Sequence, residues 1–367
     1  MAKPKDMNAL IEVAKTTQSL LTHFQSSLAA SEGTPSQPQT TATELPNPLD
    51  AIKASTTLLK SHTTTLSLLL LTPPLTPSAL VAKINDVNSG ALSGMVAAAL
   101  YVPPRDQKEE IMRTELRLRV RQLVGTWADV LALVLRMAEG GQGAKGKDDG
   151  PSASEKQDIL SATGVLWEAC DALIKLCNDG VVALVVKKAT ELKATLADAV
   201  AELKEWGEDV EDENDEPEDS DDEDDMFAPS NRLGKDDKVL KELLDRSVKK
   251  LKLVSILYQA LIKRRLKTYP ATSASTKAGR SEGANDATSS PGSKLDELMT
   301  LLKTIPETVD DLASAFYDLN DDGVKELLEQ GCKEAKSAAG VVKQSWAGAD
   351  DEYTAWSQKW IDAFDAA

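Results

Sequence analysis

Apolar residues recur every three or four positions through most of this chain, which is the spacing of helices that bury one face. The period-two alternation of half-buried strands does not occur over any long segment. The pattern therefore predicts an all-α protein. It places helices over residues 7–28, 50–71, 77–100, 106–139, 152–177, 182–206, 235–267, 294–319, 322–344 and 349–365.

The segment from 152 to 206 has the most regular pattern. Ser152-Ala153-Ser154-Glu155 has the spacing of a capping box, which predicts a helix start. Asn178-Asp179-Gly180 then separates two apolar seams, so we expect an antiparallel helical hairpin. The second seam could form a zipper with a partner, but Val186 and Val200 widen it into the stripe of a helix buried in its own bundle. The seams consist of Ile159, Thr163, Leu166, Cys170, Leu173 and Cys177, followed by Val182, Val185, Ala189, Leu192, Leu196, Ala199, Leu203 and Trp206.

These elements predict a two-part up-and-down bundle of long antiparallel helices. We expect an N-terminal bundle over residues 1–206, an acidic disordered linker over 207–234, and a C-terminal helical part over 235–367. Residues 271–292, which are rich in Ser, Thr, Gly and Ala, are expected to form a disordered loop inside the C-terminal part.

The net charge of −17 is concentrated in one place, because fourteen acidic and no basic residues lie between Glu208 and Asp225. This acidic run is interpreted as a solubilising linker, or as an arm that holds a basic partner or masks the neighbouring basic helix. Ser220 precedes Asp221-Asp222-Glu223 and is a candidate for phosphorylation by an acidic-directed kinase. The summed charge argues against direct binding of nucleic acid.

No apolar segment approaches the roughly 20 residues of a membrane span, and the start of the chain lacks the pattern of a secretory leader. We therefore expect no membrane partner and a reducing intracellular compartment. The three cysteines include no Cys-x-x-Cys pair, so we predict no cofactor and no catalytic site. Cys170 and Cys177 are expected to pack as small apolar residues.

Asp318, Asn320, Asp322 and Glu329 match ligand positions of an EF-hand calcium loop. However, the loop has Lys325 at its eighth position and no second copy in the chain. A turn between two helices, capped by Asn320 or Asp321, explains the same residues. We favour the turn.

Two other sets of residues are candidates for binding. Lys249, Lys250, Lys263, Arg264 and Arg265 have the spacing of a bipartite nuclear-import signal, with the solvated face of an amphipathic helix as the alternative. An aromatic stripe in the last helix could anchor a partner, although packing into the core is the default interpretation. The stripe consists of Tyr353, Trp356, Trp360 and Phe364.

Three segments resemble the cyclin-D-binding protein 1-like family (Grap and cyclin-D interacting protein). They are Thr163–Asp171, Tyr101–Pro104 with the Arg-rich helix Arg113–Arg121, and Val309–Tyr317. The resemblance implies an all-helical regulator of the cytoplasm and nucleus without enzymatic activity. It also implies D-type cyclins and helix–loop–helix transcription factors as partners, and Val182–Trp206 as the zipper-like seam of the family.

The function predicted from the sequence is therefore that of a non-enzymatic, protein-binding regulator of the cell cycle and transcription. The alternative is an acidic, chaperone-like binder of basic nuclear proteins. The two hypotheses differ in the role that they give to residues 208–225, which are dispensable for binding in the first and essential in the second.

Overall fold

The computed structural model describes residues 4–29, 47–101, 109–143, 150–208, 233–234, 237–270 and 290–367. These residues form helices joined by short turns, without a β-strand among them, so the all-α prediction is confirmed. The helices are α1 Pro4–Ala29, α2 Pro48–Leu71, α3 Pro77–Asp86, α4 Ser93–Leu100, α5 Glu110–Gly143, α6 Ala153–Glu208, α7 Lys238–Arg264, α8 Pro291–Tyr317, α9 Asp321–Val341 and α10 Glu352–Ala366. A π-helical segment, Val87–Leu92, connects α3 to α4.

Local sequence signals account for several helix ends. The side chain of Asn47 accepts a hydrogen bond from Leu49 N, and Pro48 occupies the first position of α2, where its missing N–H costs nothing. The predicted capping box before α6 is present, because Ser152 N donates to Glu155 Oε2 and Glu155 N donates to Ser152 Oγ. A second capping box, from Asp351 and Thr354, begins α10.

Helix α6 is interrupted at Gly180, which has a φ of 70° and a ψ of −172°. Glycine adopts this backbone conformation readily because it has no Cβ. The break lies where Asn178-Asp179-Gly180 predicts a turn. It separates a first arm, residues 153–179, from a second arm, residues 181–208.

The chain divides into two compact units at this break. The first unit comprises Met1–Pro104 and Glu110–Gly180, and the second comprises Arg105–Glu109 and Val181–Ala367. The sequence pattern places the boundary after Trp206 instead, with both arms of α6 in the N-terminal bundle. The two arms contribute to different units.

In the first unit, α1 packs along α5, and α2 packs against the α3–α4 region. Its core contains fully buried side chains from each of these helices, including Leu10, Leu59, Leu80 and Trp127. The first arm of α6 contributes Leu166, Cys170 and Leu173 to the buried residues. Ser67 Oγ of α2 and Thr163 Oγ1 of α6 form a buried hydrogen bond of 3.0 Å, so the polar groups that enter this interface satisfy each other.

In the second unit, α8 packs along α9, and α7 contacts both α9 and α10. The second arm of α6 belongs here because Trp206 packs against Phe316 and Tyr317 of α8, with ring centroids 6.0 and 5.5 Å apart. Its backbone also approaches α7 closely, since a Cβ on Gly207 would clash with Leu244 Cδ2. These contacts explain why the second arm belongs to the same unit as the C-terminal helices.

Candidate protein-binding surfaces

The aromatic stripe of α10 is mainly part of the core. Tyr353, Trp360 and Phe364 are buried, and Trp356 is half-buried against the Tyr353 ring at 5.5 Å. Trp360 stacks on Phe364 at 4.7 Å, and its Nε1 donates to Leu253 O of α7 at 2.9 Å. Tyr353 and Trp360 pack into the core, as the default interpretation has it. Both are therefore unavailable to a partner in this fold.

Arg265 holds the start of α10 against the end of α7. Its guanidinium is 2% exposed and donates to both carboxylate oxygens of Asp351, at 2.7 and 2.8 Å. It also donates to the carbonyl oxygens of Val342 and Lys343, and it lies 4.3 Å from the centre of the Tyr353 ring. These hydrogen bonds from Arg265, with backbone N–H donors, hold the pKa of Asp351 well below its usual range. Arg265 is thus a structural cation.

The candidates for nuclear import are divided between the core and the surface. Lys250 is buried in the middle of α7 and donates from Nζ to Phe364 O at 2.7 Å, with the Phe364 ring 4.7 Å away. Lys249, Lys263 and Arg264 are exposed. Two of the five cations are therefore inaccessible to an import receptor in the folded chain, which favours the amphipathic-helix alternative.

Residues 318–329 form a capped turn between α8 and α9. Asn320 caps α9 by accepting from Gly323 N at 3.0 Å, and Asp322 and Glu329 form ion pairs with Lys325 and Lys333. Pairing with Lys333 lowers the pKa of the Glu329 carboxyl. Within the described segments, no group of three or more His, Cys, Asp or Glu residues is placed to hold a metal ion. The helix cap explains the pattern that resembles a calcium loop.

The cysteines lie in environments that favour the thiol. Burial raises the pKa of Cys170 to about 12 and that of Cys177 to about 11, and it also raises the pKa of Cys332. A thiolate is the nucleophilic form of cysteine, so these positions do not suit covalent catalysis. Ser220 and residues 209–232 of the acidic run lie outside the described residues.

The zipper-like seam of the second arm faces inward. Val185, Ala189, Leu196 and Leu203 are buried, and Trp206 is half-buried against α8. This supports the intramolecular interpretation of the seam.

The first arm of α6 presents a different apolar surface, next to α2. Lys60 Nζ of α2 lies 2.5 Å from Asp171 Oδ1 and 5.9 Å from the centre of the Trp167 ring. Leu160 and Trp167 are seven residues apart and so share one face of α6. They are 58% and 37% exposed, and Leu68 on α2 is 59% exposed.

Two further features make this surface accessible. Gly164 lies between Leu160 and Trp167 on the same face, and a Cβ there would meet no atom within 4 Å. Leu68 adjoins Ser67, whose hydroxyl forms a hydrogen bond with the hydroxyl of Thr163 on α6. Leu68, Leu160 and Trp167 therefore lie beside the contact between α2 and α6. We call Leu68, Leu160, Gly164 and Trp167 the α2–α6 face.

Sequence reasoning missed the α2–α6 face as a binding site. Its signal is the position of Leu160 and Trp167 outside the regular seam that contains Thr163, Leu166 and Cys170. Two large apolar residues that share a helix face beside the buried stripe either widen that stripe or face solvent. Here the structure shows that they are exposed.

A comparison with known proteins finds a family match over the segment that contains this face. The sequence model of a family described as Grap2 and cyclin-D-interacting, N-terminal, matches residues 51–209. Over this segment the chain is similar to the Grap2 and cyclin-D-interacting family. The resemblance that Thr163–Asp171 carries is thereby confirmed.

A relative of the chain occurs in fission yeast. An uncharacterized protein of Schizosaccharomyces pombe is 22% identical over 317 residues, which cover 86% of this chain and 84% of the yeast protein. The similarity thus extends well beyond residues 51–209.

The segment matched by the Grap2 and cyclin-D-interacting family includes nearly all of α2 and all of α6. Leu68, Leu160 and Trp167 all lie within it, whereas α10 and the buried aromatic stripe lie outside it.

No helix in the described residues is long and apolar enough to cross a membrane.

Proposed function

We propose that this protein is a non-enzymatic regulator of the cell cycle and transcription that binds a cyclin-like protein through the α2–α6 face. The observation that carries the proposal is the position of three exposed apolar side chains, Leu68, Leu160 and Trp167, inside the segment matched by a cyclin-D-interacting family. Aromatic residues on such surfaces commonly contribute most of the binding energy of an interface.

The chemistry of the face suits a protein partner. Trp167 combines a large apolar ring with an indole N–H, and Lys60 and Asp171 provide a charged pair at its edge. This arrangement of an apolar centre beside polar groups is the usual anatomy of a protein interface. The buried cysteines and the occupied polar groups around Asn320 support the non-enzymatic part of the proposal.

The proposal includes helix–loop–helix regulators as further partners and localisation to the cytoplasm and nucleus. Ser220 remains the proposed phosphorylation site.

Isothermal titration of the full chain with a purified D-type cyclin tests the proposal. The double substitution Leu160→Ser and Trp167→Ser is expected to weaken binding at least tenfold, because a tryptophan anchor commonly contributes about 2 kcal/mol or more. Val165→Ser is the matched control. Val165 is 52% exposed on the same helix arm, but it lies about 160° around the helix from Trp167. Unchanged cyclin binding by the double variant, or no binding by the unsubstituted chain, would refute the proposal.

A second candidate function rests on the fourteen acidic residues between Glu208 and Asp225. In that function the acidic run holds basic nuclear proteins such as histone tails, and the helices act as a scaffold. Deletion of residues 209–225 separates the two functions. Binding of cyclin should survive the deletion, whereas binding of a histone tail should be lost.

A further inference from the structure

Helix α7 and the 3₁₀ turn Leu266–Thr268 that follows it carry an exposed basic strip that the proposed cyclin-binding function does not use. Lys249, Lys252, Lys263 and Lys267 are exposed, and the chain between Lys249 and Lys267 contains no acidic residue. None of the four lysines forms an ion pair with a carboxylate of the described residues, whereas many other surface lysines of the chain do.

Helical spacing aligns the residues of the strip that lie on α7, and Lys267 follows one turn after Lys263. Lys252, Ile256, Gln259 and Lys263 follow one another at intervals of four, three and four residues, and Lys249 lies one turn before Lys252. The opposite face of α7 is buried through Leu244, Leu251 and Leu261. The strip therefore extends about 21 Å between Lys249 and Lys263.

The centre of the strip is apolar and lies beside a second helix. Ile256 is 51% exposed, and Gln259 accepts a hydrogen bond from Lys193 Nζ of the second arm of α6 at 3.1 Å. Lys193 thus adds a cation beside the centre of the strip. The result is an isoleucine between two pairs of lysines.

We propose that this strip binds an acidic segment of a partner protein, one with an apolar residue between two groups of carboxylates. Charge complementarity carries the choice of partner, because unpaired lysines at both ends of the strip match carboxylates on an extended or helical peptide. The exposed Ile256 favours a polypeptide over duplex DNA, because a polypeptide can place an apolar side chain between its carboxylates whereas the outer surface of DNA repeats phosphates. The strip is separate from the α2–α6 face, so either surface can fail its test without the other.

The acidic run of the chain itself bears on this binding. Residues 208–225 end only thirteen positions before Lys238, where α7 begins, so any binding of these residues to the strip would compete with an acidic partner at a high effective concentration. The experiment must separate these two sources of carboxylates.

Fluorescence anisotropy of the full chain with a labelled synthetic peptide provides the test. The peptide has four acidic residues at each end and two leucines at its centre. We expect saturable binding at 50 mM NaCl that weakens at least tenfold in 500 mM NaCl. A Lys252→Glu and Lys263→Glu double variant should weaken binding at least tenfold, and Ile256→Ser about threefold. A peptide with glutamine in place of the acidic residues should not bind.

The matched control is a Lys303→Glu and Lys359→Glu double variant, which makes the same change in net charge on exposed positions of α8 and α10. It should bind the peptide as the unsubstituted chain does. The proposal is overturned if both double variants lose binding equally, or if duplex DNA of the same charge displaces the peptide from the strip at lower concentration.

A chain that lacks residues 209–225 completes the experiment. Binding to both the full chain and the deletion variant, with tighter binding to the latter, supports a partner that competes with the acidic run. Binding only to the deletion variant would show that the chain's own carboxylates occupy the strip, and it would overturn the proposal. Failure to bind either form would also overturn it.

Discussion

Trp360 of the second unit and Trp167 of the first unit lie in opposite environments. In the second unit, Trp360 is buried, stacks on Phe364 and donates its N–H to the carbonyl of Leu253. In the first unit, Trp167 is 37% exposed and has Lys60 as its neighbour. Both residues lie on amphipathic helices with three- and four-residue spacing. The comparison shows that the spacing of an aromatic residue predicts the side of a helix, but not what covers that side.

The difference has a physical cause in the neighbouring elements. Helix α10 packs against α7 and α9, and Arg265 and Lys250 of α7 reach across to Asp351 and to the carbonyl of Phe364. These charged hydrogen bonds hold α10 over its aromatic residues. Trp167 lies at the edge of the contact between α2 and α6, beside the exposed pair of Lys60 and Asp171, and no described helix covers it.

The largest effect should come from replacing Trp360 by alanine, and the same change at Trp167 provides the comparison. Trp360→Ala is expected to lower the free energy of unfolding by about 3–5 kcal/mol, because it empties a buried site and leaves the Leu253 carbonyl without its indole donor. Trp167→Ala should cost less, about 1–2 kcal/mol, because the indole is 37% exposed and loses one exposed cation–π contact together with part of its apolar burial. Urea unfolding followed by circular dichroism measures both. Hydrogen exchange should place the loss for Trp360→Ala in the second unit, and equal losses for the two variants would contradict the comparison.

An effect of intermediate size should come from Asp351→Asn, which removes the charge opposite Arg265 but keeps an oxygen to cap α10. We expect a loss of about 1.5 kcal/mol at pH 7, the low end for hydrogen bonds to charged groups, because the Asp351 side chain is 36% exposed and partly screened by solvent. Urea unfolding of both proteins as a function of pH measures this difference.

The pH dependence follows from the lowered pKa of Asp351. The stabilisation by its carboxylate is fully present above the unfolded-state pKa of about 4 and is lost as the pH falls toward the lower pKa of the folded state. The difference in the free energy of unfolding between the wild type and Asp351→Asn should therefore become smaller as the pH falls below about 4. A difference that stays constant from pH 7 to pH 3 would show that the Arg265–Asp351 pair contributes no charge-dependent stability.

Much of the fold follows from local sequence patterns. The helical spacing predicts an all-α chain. Residues Ser152–Glu155 predict a capping box, and residues Asn178–Gly180 predict the interruption of α6. The capped turn at Asn320 is also predictable, since a side-chain oxygen before a helix satisfies a free N–H. Each of these features depends on residues within a few positions of one another.

The candidate surfaces depend on contacts between distant residues, which the sequence pattern does not contain. Lys250 and Arg265 resemble solvated cations in sequence, but carbonyl oxygens from residues 342, 343 and 364 make their burial favourable. The second arm of α6 belongs to the unit of the C-terminal helices because Trp206 packs against Phe316 and Tyr317. No spacing rule within α6 or α7 identifies these partners.

The smallest effect concerns Tyr353, whose ring packs against Arg265 while its buried hydroxyl has no hydrogen-bond partner among the described residues. Tyr353→Phe keeps the ring and removes a polar group that is costly to bury, so it should leave the free energy of unfolding unchanged or raise it by up to about 1 kcal/mol. Urea unfolding measures the change.

Tyr258→Phe is the matched control for this substitution, because the Tyr258 hydroxyl is also buried but donates to Leu302 O at 2.6 Å. Its removal should lower the free energy of unfolding by about 1 kcal/mol, the net contribution of a typical hydrogen bond. Opposite signs for the two variants would show that the buried aromatic residues of the second unit are held by ring packing, with the hydroxyl adding stability only where an acceptor is present. A loss of 1 kcal/mol or more for Tyr353→Phe would mean that its hydroxyl does find a partner in solution.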